Sequence, residues 1–118
     1  MATLVVKCTW GLERQESLFQ AFTVAATAAA SGNDVSLWLT GDAVLHALTS
    51  TPDSQLDHSP NLSVLRDAVL ASGRISVCAQ CAARRGITEA DLLPGARIAG
   101  AAVFVEESLN PAATSLVY

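Results

Sequence analysis

The sequence predicts an α/β fold, a three-layer α/β/α sandwich around a mostly parallel sheet of four to five strands. Three observations carry that expectation. Short apolar, β-branched runs such as Leu4-Val5-Val6-Lys7-Cys8 lack clean polar alternation, as suits strands covered on both faces of a parallel sheet. Segments with apolar residues at helical spacing separate these runs, and strands alternating with helices imply crossover units. With 118 residues, 51% hydrophobic and only 15% charged, the chain is long enough for one domain, residues 1–118, with a substantial core.

Taken in order, residues 4–8 form the first strand and 11–14 its exit loop. From 15 to 31, Leu18, Phe22, Ala25 and Ala29 recur at helical spacing. Glu13 and Glu16 lie near the positive end of that helix and Gly32 suits its stop. Its many alanines allow close approach to a sheet. Residues 34–40 form a second strand, and Gly41-Asp42 opens a short helix over 43–48, with Asp42 as its cap. Residues 49–60 are polar, hold two prolines and show no periodicity, which marks a surface loop.

Asn61 is a suitable cap for a helix carrying Leu62, Leu65, Val69 and Leu70, ended by Gly73. Strand 74–77 and a cysteine-bearing segment follow. Residues 88–91 form a cap and first turn, with Pro94-Gly95 an interruption. Over 97–109 the run Ala101-Ala102-Val103-Phe104-Val105 is compatible with a strand. Ile98, Ala102, Val105 and Leu109 nonetheless keep a helical face, and Glu106-Glu107-Ser108 continue the segment, so a helix is predicted there. Residues 114–118 form a last short strand.

Composition narrows the function classes. A net charge of −4 argues against nucleic-acid binding, which usually needs a basic face. Such high apolar content predicts surface buried in a homo-oligomer. The N-terminus lacks a basic region, unlike a signal peptide. The apolar windows 21–30 and 98–105 fall short of the ~20 residues a spanning helix requires. A soluble, cytoplasmic protein with no membrane partner is expected, its three cysteines thiols rather than a disulfide framework. No Gly-x-Gly-x-x-Gly or Gly-Lys-Ser/Thr occurs, so no cofactor is expected. His46 on a helix and His58 in a loop lack partner spacing beside a single Cys-x-x-Cys, so no metal is expected.

Chemistry concentrates in Cys78-Ala79-Gln80-Cys81-Ala82-Ala83-Arg84-Arg85-Gly86. A thiol closing a strand just before a helix lies near free backbone N–H groups, which favour the nucleophilic thiolate. Cys81 is three residues on and shares a helical face with Cys78. Arg84 and Arg85 follow at three and four residues, within reach of a Cys81 thiolate. Cys8 closes the first strand, so all three thiols are candidates for one rim of the sheet. A resolving role for Cys8 requires that its strand neighbour that of Cys78. Trp10, just after Cys8, is a candidate wall for the thiol pocket, while Trp10 and Trp38 otherwise read as packing residues.

Residues 11–18, 34–44, the Cys78-to-Ile87 segment, Leu92-Leu93-Pro94-Gly95-Ala96 and residues 114–118 resemble DsrE/DsrF-like proteins, and within them the small single-domain YchN-like members. The resemblance implies a parallel-sheet α/β fold with a helical 97–109 segment and assembly into trimers or hexamers. In sulfur-relay members such as TusD, a cysteine at this place carries a persulfide between donor and acceptor proteins. Spacing to Arg84-Arg85-Gly86 matches Cys78 to that carrier, and Cys81 to the second cysteine of the YchN-like pattern. The resemblance thus implies a sulfur carrier or sulfurtransferase. A non-catalytic oligomeric interaction module and a dithiol redox protein are the alternatives.

Overall fold

The computed structural model describes residues 2–118. Strands β1 (Thr3–Cys8), β2 (Asp34–Leu39), β3 (Arg74–Cys78), β4 (Ala96–Ala99) and β5 (Ala113–Val117) form one sheet. Their order is β4-β3-β2-β1-β5, and every neighbouring pair is parallel. The helices are α1 (Gln15–Ala30), α2 (Leu62–Ser72), α3 (Ala79–Arg84) and α4 (Ala101–Ser108).

The layers follow from handedness. Parallel crossovers are almost always right-handed. The chain steps from β1 through β2 and β3 to β4 in one direction, which stacks α1 and α2 on one face. It then returns past three strands to β5, and that reversed step carries α4 to the other face. Side chains divide accordingly, since successive strand residues point to opposite faces. Val6, Cys8, Leu37, Leu39, Ile75 and Val77 meet α1 and α2 in the main core. Lys7, Trp38, Ser76 and Arg97, aligned by strand register, share the α4 face.

The two faces differ in chemistry. Leu18, Phe22, Val69 and the strand residues opposite them are fully buried, and truncating one such Leu costs about 2–5 kcal/mol. On the α4 face the anchor is polar. Glu107 of α4 accepts hydrogen bonds from Ser36 Oγ at 2.5 Å, Trp38 Nε1 at 3.1 Å and Arg97 Nη2 at 2.8 Å. Arg97 Nε also donates to Ser76 Oγ at 2.9 Å, and Phe104 packs edge-on against Trp38 with ring centroids 5.4 Å apart. One short helix thus holds its place mainly through one carboxylate.

Two expectations need correction. The segment 97–109, expected as a helix throughout, is split: Ala96–Ala99 is strand β4 and only Ala101–Ser108 is helical. The physical reason is pairing with β3 in register, Ser76 beside Arg97 and Cys78 beside Ala99, which outweighs the weak helical pattern. Gly100, in extended conformation, makes the turn between them. The helix expected over 43–48 is a 3-10 helix, Gly41–Ala47, and Asp42 makes no side-chain cap there.

Candidate functional site: the Cys78 cavity

β3 ends on Cys78, and α3 begins at the next residue. The hydrogen bonds of the sheet therefore stop where the helix leaves N–H groups free. Those of Gln80 and Cys81 turn back on the Cys78 sulfur, and the Cys81 thiol also donates to it. Partial burial pushes the Cys78 thiol up, but these donors and the Arg84 guanidinium outweigh it and hold the group below its ordinary value. Cys78 is half-buried, whereas Cys81 and Cys8 are buried. The accessible and activated thiol is Cys78.

Cys81 serves as its support. Its sulfur accepts the Gly41 N–H at 3.3 Å and lies 3.9 Å from Arg84 Nη1. Gly41 takes φ 56, a left-handed conformation that favours glycine, and a Cβ there would stand 3.0 Å from the Thr9 carbonyl oxygen. Arg85 is engaged elsewhere. Its Nε and Nη2 donate to Asp42 Oδ1 at 3.0 and 2.8 Å, and its Nη1 to the Cys81 carbonyl at 3.0 Å. That clamp ties the turn after β2 to α3. Arg84, not Arg85, is the cation beside the sulfurs.

Cys8 lies on the same rim but apart from Cys78. β2 stands between its strand and that of Cys78, so two inter-strand spacings, about 10 Å, separate their backbones. A disulfide needs Cα atoms within roughly 7 Å, and the neighbouring strands a resolving Cys8 requires do not exist. Its side chain points into the α1 face, with the thiol donating to the Trp10 carbonyl at 3.3 Å. Burial pushes it up to about 11, the Trp10 carbonyl partly offsetting this. Cys8 is a core thiol.

A cavity of about 60 Å³ opens beside Cys78, lined by Lys7, Trp38, Thr40, Ala101 and Phe104 as well. Trp10, the expected wall, is not among these residues; Arg14 covers its ring, Cζ 4.5 Å from the centroid. The indole wall is Trp38. Lys7, Thr40, Ala101 and Phe104 carried no motif. The signal for Lys7 and Trp38 was present in strand alternation, which puts both on the face opposite Val6 and Leu37. His46 is buried and its imidazole pushed down by that burial. His58 sits in a loop at φ 65. Among the described residues no three His, Cys, Asp or Glu side chains gather as metal ligands, and no helix is long and apolar enough to cross a membrane.

A parallel sheet whose carboxyl edge holds an activated, accessible thiol over a small cavity defines a thiol-bearing α/β protein. The sequence profile of the DsrE/DsrF-like family matches residues 6–112, and the chain belongs to that family. It is 31% identical over 111 residues to the uncharacterized protein MJ0989 of Methanocaldococcus jannaschii, covering 91% of this chain and 92% of that protein. The crystal structure of the ychN protein from E. coli superposes with a TM-score of 0.84 at 22% identity, covering 100% of both chains. Protein MTH1491 of Methanobacterium thermoautotrophicum, of unknown function, gives 0.71 at 9% identity, covering 98% and 97%. These two likenesses establish the shared fold.

Proposed function

We propose that the protein is a sulfur carrier whose Cys78 accepts a sulfane sulfur, holds it as a persulfide and passes it to an acceptor. Membership of the DsrE/DsrF-like family supports a sulfur-relay role in general terms. The observation that carries the particular reading is the Cys78 thiol, half-buried, hydrogen-bonded by Gln80 and Cys81 and open to a cavity. In the first step the Cys78 thiolate attacks the outer sulfur of the donor. A new S–S bond forms, the donor's S–S bond breaks, and the departing group keeps the electron pair. An acceptor thiolate then attacks the terminal sulfur and releases Cys78. The Cys81 N–H and Arg84 stabilise the anionic sulfur before and after each step.

Intact mass after exposure to polysulfide tests the reading. Wild-type protein and Cys81→Ser should each gain sulfur, whereas Cys78→Ser should gain none. Retention of sulfur by Cys78→Ser, or none on the wild type, refutes it. A dithiol reading draws on the contact between Cys81 and Cys78; it predicts a Cys78–Cys81 disulfide under mild oxidation and no added sulfur.

Donor and acceptor proteins, and self-association, belong to the same proposal. The surface we assign to a second copy of the chain is the edge formed by α4 and β5. There Leu109 is 76% exposed and Val117 65%, beside the unpaired backbone groups of an edge strand. Sedimentation of the wild type against Leu109→Asp/Val117→Asp tests this, a trimer or hexamer falling to monomer.

A further inference from the structure

The Cys78 cavity contains one feature that a bare persulfide does not require. Lys7 lines it from β1, with its ammonium 5.3 Å from the centre of the Phe104 ring. Among the described residues Lys7 forms no ion pair, whereas Arg66, Arg74, Arg85 and Arg97 each do. No carboxylate lines the cavity. Lys7 is also not the cation that acts on the Cys78 sulfur, which is Arg84. β2 separates the strands of Lys7 and Cys78, and Lys7 lies level with Ser76, two residues before Cys78, so their backbones lie about 12 Å apart. Lys7 and Cys78 thus line one cavity from different strands, with Thr40, Trp38, Phe104 and Ala101 as its other walls; the Thr40 hydroxyl donates to the Cys8 carbonyl at 3.4 Å.

The space suits a small occupant. A water-sized probe needs roughly 10–15 Å³, so a cavity of about 60 Å³ has room beside Cys78 for a group of a few atoms. An anionic donor in particular needs a cation here. When a thiolate attacks an anion, two like charges approach, and a cation between or beside them offsets that repulsion.

From these observations we infer that the cavity receives a small anionic sulfane-sulfur compound of the thiosulfate type, with Lys7 as the residue that binds its anionic end. The inference rests on the reading of Cys78 as sulfur acceptor and names the class of donor. The donor's sulfonate lies against Lys7 and Thr40, and its sulfane sulfur faces Cys78. The thiolate attacks the sulfane sulfur and a Cys78 S–S bond forms. The bond to the sulfonate sulfur breaks, and sulfite leaves with the electron pair. Charge and atoms balance with no oxidant, reductant or proton required.

The experiment compares rates of sulfur addition to Cys78, read by intact mass, from thiosulfate and from neutral elemental sulfur. In wild-type protein both donors should charge Cys78. In Lys7→Met the ratio of thiosulfate to elemental-sulfur rates should fall about ten- to hundred-fold, the scale of one charge-assisted contact, and Lys7→Arg should restore most of it. The ratio is compared only between preparations whose unfolding midpoints in urea show them to be fully folded under the assay conditions, so that thiols exposed by unfolding do not distort it. A ratio unchanged in Lys7→Met overturns the inference. So does wild-type protein that takes sulfur from elemental sulfur but not from thiosulfate, an outcome that leaves the carrier reading standing. Wild-type protein charged by neither donor refutes the carrier reading, and the inference with it.

Discussion

Replacing Glu107 by Ala tests how α4 is held over the sheet. Glu107 accepts from Ser36, Trp38 and Arg97. Ser36 is fully buried and Trp38 2% exposed, so neither donor finds water when the carboxylate goes. Each orphaned donor costs about 1–3 kcal/mol. Arg97 has a side chain 42% exposed and returns to solvent at a cost below about 1 kcal/mol. The expected loss is about 2–6 kcal/mol, a large share of the roughly 5–15 kcal/mol typical of a domain. Urea unfolding at neutral pH reads it as a lowered midpoint with unchanged slope. Because the cost is assigned to stranded donors, removing one of them as well should help: Glu107→Ala/Ser36→Ala should be more stable than Glu107→Ala alone. A single-variant loss below about 0.5 kcal/mol, or a double variant no better than the single, refutes this account.

Three further outcomes are expected. Alkylation of Cys78 by iodoacetamide should reach half its maximal rate below the ordinary thiol value of 9.0, and Arg84→Gln should move that midpoint upward. Cys8, pushed up to about 11 by burial, should resist alkylation at pH 8 in native protein and react in urea only as the whole chain unfolds. Glu107 is partly buried, which raises its carboxyl. Its bonds to Ser36 and Trp38 and the charges of Arg74 and Arg97 outweigh this and leave it below the ordinary 4.5. Since the folded value is the lower one, its stabilisation is present above 4.5 and is lost as pH falls through the folded value. Melting temperatures between pH 6 and pH 3, read for wild type against Glu107→Gln, should therefore converge in acid.

Much of the fold was legible because its signals are local. The short apolar runs at β1 and β2, the alanine spacing of α1 and the glycine ending α2 act within a few residues. β4 was not legible, because Ala96–Ala99 carries no strong strand pattern and is specified by pairing with β3. The thiols show the same division. Cys78, Cys81 and Arg84 were legible from spacing and family resemblance, but the separate parts of the two thiols follow from burial and from Gly41, which reaches Cys81 from a distant segment. Trp10 was favoured by nearness to Cys8 in sequence. Trp38 is the wall because strand register, not chain neighbourhood, decides who shares a face.

The anchoring of α4 also bears on biosynthesis. Chains emerge N-terminus first and begin to fold as they do so. β1, β2 and β3 with α1 and α2 precede Ala101, Phe104 and Glu107 in the chain. The reactive sulfur of Cys78 is therefore translated before the residues that roof its cavity. The cavity at Cys78 is complete only when the last helix has docked, and its assembly waits on the C-terminal part of the chain.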